Sequence, residues 1–240
     1  MKVADLQAEL RKLANAQRKA ISQTFFKTGK GEYAEGDQFI GVSVPDIRKI
    51  IKNYLELELS DVFGLLQSKI HEERLAALVL LVTQFEKGDA QKRKTIFDQY
   101  LVHTAWINNW DLVDTSAPQI VGGFLSDTNR DVLLKLIASP ILWERRIAMV
   151  STLFFIRAGE TTWTTRLAQM VLTDTHDLMH KATGWMLREM GKRDEVALHA
   201  FLQTHAHHMP KTMLRYAIER LSPRERERYL KKGSDLGFLL

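Results

Sequence analysis

In INNWDLVDTSAP, residues 107–118, an indole at Trp110 and a carboxylate at Asp114 stand four residues apart. On a helix this spacing places both on one face, one turn apart. A carboxylate beside an aromatic face suits a cationic substrate or transition state: the acid stabilises it by charge, the indole by its quadrupole. A second indole, Trp185 in GWMLREMGK, follows Lys181 by four residues and shares that helix's face in the same way. Indoles also offer flat apolar surface to a sugar or a base. The plainer alternative is a Trp turned into a core, with Asp114 capping the helix near Pro118 or pairing with Arg146.

Other chemistry is less well supported. His176 and His180 stand at i and i+4, a spacing that metal-binding helices use, and His205, His207 and His208 cluster later. HDLMH lacks the glutamate of HExxH and no third ligand is evident, so no metal and no cofactor are expected. No GxSxG elbow marks a nucleophilic serine. The stretch TGKGEYAEGDQFIG, 28–41, is rich in glycine but lacks the spacing of a phosphate-binding loop. It reads as a surface loop that could touch a ligand.

The elements that carry these residues are helices. Period-2 runs and hairpin dipeptides are nearly absent, whereas HEERLAALVLLVTQFEKGD places Leu75, Leu78, Val79, Val82 and Phe85 on one helical stripe. Pro45, Pro118, Pro140, Pro210 and Pro223 all fall where a helix would start or bend. The first residues, MKVADLQAELRKLANAQ, read as an amphipathic helix and not as a signal peptide. The longest apolar runs are too short to span a bilayer. The 240 residues contain no cysteine, which fits a reducing compartment. A soluble, cytoplasmic protein is expected. Lys and Arg number 34 against 29 for Asp and Glu, a formal charge of +5, so the placement of the cations matters more than their total.

That placement is periodic. HEERLAAL, LWERRIAM, LMHKATGW and TMLRYAIER carry Arg74, Arg146, Lys181 and Arg215 in a corresponding slot. The spacing is about 35 residues or twice that, and Trp110 fills the slot midway between Arg74 and Arg146, a helical-repeat signature. Repeats that cannot close their own cores stack and curve, so the second helices are expected to line a concave surface with a row of cations suited to a phosphate backbone. The bland reading is that these cations pair with neighbouring acids such as Glu72, Glu73, Glu144 and Glu189.

INNWDLVD, ILWERRIA, HDLMHKATGWMLREMGKRD and MPKTMLRYAIERL resemble the bacterial DNA alkylation repair proteins of the AlkD family. The resemblance covers residues 25–229, and FFKTGKGEYAEGDQFIGVSVPDIRK is similar to the hallmark of a branch with a glycine-rich insertion. It implies an all-α fold: a curved, right-handed superhelical array of HEAT-like antiparallel helix pairs with a concave basic cleft. One domain is expected over 1–240, with N-terminal helices and the glycine-rich loop in 1–42, repeats over about 43–232 and a short tail at 233–240.

The resemblance further implies a monofunctional glycosylase that releases positively charged N3- and N7-alkylpurines from duplex DNA without flipping them into a pocket. By motif, Asp114 matches the catalytic carboxylate, and Trp110 and Trp185 match the indoles that pack on the lesion's deoxyribose. Arg146 and Arg188 match cations near the DNA backbone, to which the cationic row adds Lys181, Arg145, Arg215 and Arg74. The family's N-terminal aromatic has three candidates, Phe25, Phe26 and Tyr33. The expected partner is alkylated duplex DNA, met by a monomer associated with the nucleoid. Two other readings stand beside this one: a DNA-binding protein without catalysis, and a helical-repeat scaffold for protein partners.

Overall fold

The computed structural model describes residues 2–232, so the expected tail at 233–240 lies outside the described residues. The described chain is all-α: fourteen α-helices and a few short 3-10 or π turns, with one isolated β-bridge between Gln38 and Ile70. No helix among these residues is long and apolar enough to cross a membrane. Two compact units, 1–120 and 121–240, divide the chain.

The first unit holds α1 (Val3–Lys12), α2 (Ala16–Phe25), α3 (Val44–Ile50), α4 (Leu59–Leu66), α5 (His71–Lys87), α6 (Ala90–Val102) and α7 (Trp110–Ala117). Helix α5 is its axis, with α3, α4, α6 and α7 packed against it. Its apolar residues do more than form a stripe. Every residue from His71 to Leu81 is buried, charged Glu72, Glu73 and Arg74 included. Burial of that kind is sustained only when each charge is satisfied locally. Two acids in the first turn of α5 also suit the positive end of its dipole. The amphipathic reading of α1 holds, since Leu6 and Leu10 are fully buried.

The second unit holds α8 (Asp131–Ile137), α9 (Leu142–Arg157), α10 (Thr162–Met170), α11 (Asp177–Gly191), α12 (Glu195–His205), α13 (Lys211–Ala217) and α14 (Pro223–Lys232). Helices α9 and α11 pack on each other, and α13 lies closely along α11. Gly184 permits that approach: a Cβ there would sit 2.5 Å from the Met213 carbonyl oxygen and 2.5 Å from Cβ of Tyr216. The prolines punctuate as expected, with Pro45 in the first turn of α3, Pro210 at the N-cap of α13 and Pro223 opening α14.

The repeat is visible in how helices begin. Before α5, Ser68 Oγ accepts from the Ile70 amide and donates to Glu73, while Arg74 Nη1 donates to the Ser68 carbonyl. Before α9, Ser139, Ile141, Glu144 and Arg145 make the same set of bonds. The structural counterpart of Arg74 is therefore Arg145, one residue earlier than the expected Arg146. Arg146 is the fifth residue of its helix, as are Lys181 in α11 and Arg215 in α13. The fifth residue of α7 is Asp114. The acid, and not Trp110, stands where the later helices carry a cation.

Candidate functional site

Helix α7 opens with Asn109, which is fully buried and whose Oδ1 accepts from the Trp110 amide at 2.8 Å. This N-cap fixes Trp110 as the first helical residue, Asp111 as the second and Asp114 one turn on. Trp110 and Asp114 are both half-buried and so within reach of solvent. The Trp110 ring stacks on Phe26, with centroids 5.3 Å apart and planes 20° from parallel. Phe25 meets the same indole edge-on at 5.9 Å. Of the three candidate N-terminal aromatics, Phe25 and Phe26 thus stand against Trp110, while Tyr33 sits half-buried in the glycine-rich loop. Phe25 is 62 % exposed, unusual for a phenylalanine. An apolar cavity of about 220 Å³ is lined by Phe26 together with Ile21, Val44, Phe39 and Ile47, and Asp111 also borders it.

Beneath the rings lies a buried ionic network. The His71 ring stacks on Phe39 at 4.4 Å and lies 5.0 Å from the Phe26 ring. Its Nδ1 is 2.8 Å from Asp37 Oδ2 and its Nε2 is 2.8 Å from Asp111 Oδ2. Arg74 Nη2 donates to the other Asp37 oxygen at 2.8 Å. Burial, the largest single influence, disfavours a charged imidazole, yet Asp111 and Asp37 together outweigh it and raise His71 to about 9. Burial likewise pushes Asp37 upward, but His71 and Arg74 hold it below the ordinary carboxylate value.

The glycine-rich loop wraps the start of α5. Backbone amides of Ile40, Gly41 and Val42 donate to Glu72, with Gly41 the closest at 2.7 Å. Gly41 takes φ +82°, and a Cβ there would collide with the Asn15 carbonyl oxygen at 2.1 Å, so only glycine fits. The sequence marks this stretch only as a surface loop that could touch a ligand, and it does not single out Asp37, His71 or Asp111.

The charge of Asp114 is felt in the core behind α7. Tyr100, fully buried, shares a hydrogen bond of 2.9 Å with Ser116 Oγ. Burial raises the Tyr100 hydroxyl well above its usual value, and the charge of Asp114 adds to the effect.

The cations expected to form a surface row differ in kind. Arg74 is 3 % exposed and spent on Asp37 and Ser68, which removes it from any surface. Arg146 is 5 % exposed and its Nη1 donates to the Leu178 carbonyl at 2.7 Å, bracing α9 against α11. Arg145 binds Asp174 at 2.7 Å and the carbonyls of Ser139 and Pro140. Arg188 pairs with Glu219 and with Glu189. Lys181 is partly exposed and pairs with Asp177, and Arg215 is exposed. A buried arginine is held by carbonyls and acids because an unpaired buried charge is too costly.

Trp185 is half-buried in the second unit and lines a cleft of about 310 Å³ with Arg157, Lys192 and Arg193, three cations that sequence reading did not single out. His176 and His180 do not converge on a metal position: His176 Nδ1 accepts from the Leu178 amide, and His180 Nε2 bonds the Asp174 carbonyl. Both rings serve the start of α11.

Among the described residues the chain is all-helical, with one helix start repeated before α5 and α9, the form of a helical-repeat protein. The family model "DNA alkylation repair enzyme" matches residues 6–221, and the chain belongs to that family. A solved structure described as a predicted DNA alkylation repair enzyme from Enterococcus faecalis shares the fold, with a TM-score of 0.68 at 16% identity, over 88% of this chain and 97% of that one. No curated protein matches the sequence.

Proposed function

We propose that, within DNA alkylation repair, this protein is a monofunctional glycosylase that hydrolyses the N-glycosidic bond of N3- and N7-alkylpurines in duplex DNA. One observation carries the reading: Trp110 and Asp114 project from one face of α7, with the indole held in place by Phe25 and Phe26. An N7- or N3-alkylated purine is cationic and leaves as a neutral base, so its departure needs no general acid. The bond breaks with its electron pair going to the base, and the positive charge passes to the sugar as an oxocarbenium-like transition state. The Asp114 carboxylate stabilises that charge and orients the water that adds to the anomeric carbon. The Trp110 face holds the sugar and adds its quadrupole to the same stabilisation. In the second unit Trp185 offers an indole face of its own, and Lys181 and Arg215 are cations open to phosphate.

The placement of Asp114 supports this. A carboxylate at the helix position that elsewhere carries Arg146, Lys181 and Arg215 is unfavourable for binding phosphate and favourable for meeting a cation.

Substrate charge tests the mechanism. Duplexes carrying N7-methylguanine should lose the base, whereas matched duplexes carrying a neutral adduct such as ethenoadenine should not. Equal release of both would mean that leaving-group protonation is supplied and would overturn the claim that departure needs no general acid. Binding without release of either would move the protein to the class of non-catalytic DNA-binding proteins.

A further inference from the structure

We propose that His71, as an imidazolium, is a positioning residue that clamps the glycine-rich loop to the first turn of α7 and so fixes the direction in which Trp110 and Asp114 project. Its catalytic consequence rests on the glycosylase reading; the clamp does not.

Both ring nitrogens face carboxylate oxygens at 2.8 Å, Asp37 on one side and Asp111 on the other. An ionised carboxylate only accepts, so both nitrogens must donate, and only the doubly protonated ring can do so. Phe39 stacks on the ring as well, and Phe26 packs against that pair with its ring 5.0 Å from both. With both nitrogens bonded, Phe39 stacked on the ring and 2 % of the residue exposed, the imidazole is held in place.

The charged groups around it are each turned to specific partners. Asp37 from the loop and Asp111 from α7 face His71, and Arg74 of α5 takes the second oxygen of Asp37. The adjacent Glu72 is turned to the amides of Ile40, Gly41 and Val42, and Glu73 to Arg11, Gln7 and Ser68. On the α2 side, Arg18 is turned to Asp46 of α3 at 3.6 Å. A neutral His71 would leave one carboxylate opposite a lone pair in a buried site, which is the costly arrangement.

The route to the site is short. Asp111 follows Trp110 directly, and Asp114 lies one turn further along the same helix. Holding Asp111 fixes the rotation of α7 about its axis. On the other side, the Gln38 carbonyl accepts from the His71 amide at 2.8 Å, which ties the loop to the same residue.

The test combines a spectroscopic and a kinetic readout on the full chain. Nitrogen-15 NMR of the histidine rings should show His71 doubly protonated at neutral pH and titrating near 9. In His71→Gln, amide exchange should quicken both in the loop at 37–41 and at 110–114. Single-turnover base release should fall roughly tenfold to a hundredfold, with DNA affinity within about threefold of wild type, because misplacing a reacting group costs rate and not binding. Asp111→Asn keeps the volume and removes the charge; it should lower the titration of His71 and slow release in the same direction, and it carries the kinetic arm if His71→Gln does not fold. A ring that titrates near the ordinary histidine value, or release unaffected in both variants, overturns the proposal. Should the wild type release no base, quickened exchange at 110–114 in Asp111→Asn upholds the clamp while the glycosylase reading falls; unchanged exchange overturns the clamp too.

Discussion

At the scale of single residues, the site sets a charge that works against one that supports. Asp114 is proposed to meet a cation, while Asp111 and Asp37 already hold one in His71. This arrangement makes stability pH-dependent in a definite sense. His71 is raised from 6.5 to about 9 on folding, so its contribution is complete below pH 6.5, declines as pH rises, and is gone above 9. Its size is on the order of 3 kcal/mol at most, from about 1.4 kcal/mol per unit. Asp37 is depressed, so its contribution is present above its ordinary value and is lost as pH falls through the lower folded value. The melting temperature should therefore fall between pH 6.5 and 9 in the wild type, and that slope should be missing in His71→Gln. Arg74→Ala would leave Asp37 buried without its second cation and should cost roughly 3–5 kcal/mol in chemical denaturation, far beyond a surface arginine.

At the scale of elements, two glycines distinguish packing from propensity. Gly184→Ala would force α11 away from α13 and should destabilise by about 1–3 kcal/mol, as overpacking does. Gly64 lies within α4 and a Cβ there meets nothing, so Gly64→Ala should stabilise by roughly 0.5–1 kcal/mol. Thermal unfolding of the two variants reads opposite signs from the same substitution. Helices were also the part of the fold most legible in the sequence. Apolar periodicity and the prolines marked them, and the Trp110–Asp114 relation is local, so four residues of spacing were enough. The register of the repeat was less legible, because the slot of Arg74 was matched to Arg146 when the Ser–Ile–Glu–Arg start matches it to Arg145. The His71 network could not be read at all. Asp37, His71 and Asp111 come from three separated segments, and nothing in local spacing says that they meet. For the same reason the sequence does not distinguish Arg74, which Asp37 holds in the interior, from a surface cation.

At the scale of the whole molecule, charge governs how DNA is met. The formal charge of +5 includes arginines consumed internally, so the cations open to phosphate are fewer than the total suggests. Binding to undamaged duplex should weaken linearly on a log–log plot against salt. Lys181→Ala and Arg215→Ala should each lower that slope by about one without changing which adduct is released. Arg74→Ala, if folded, should leave the slope as it is. The most direct test of the central claim is release of free base from duplex DNA carrying N7-methylguanine, measured under single turnover for the wild type and Asp114→Asn side by side. The account predicts release by the wild type and almost none by Asp114→Asn, with both binding the duplex comparably. Equal release by the two would contradict it, because the carboxylate would then have no part in breaking the bond.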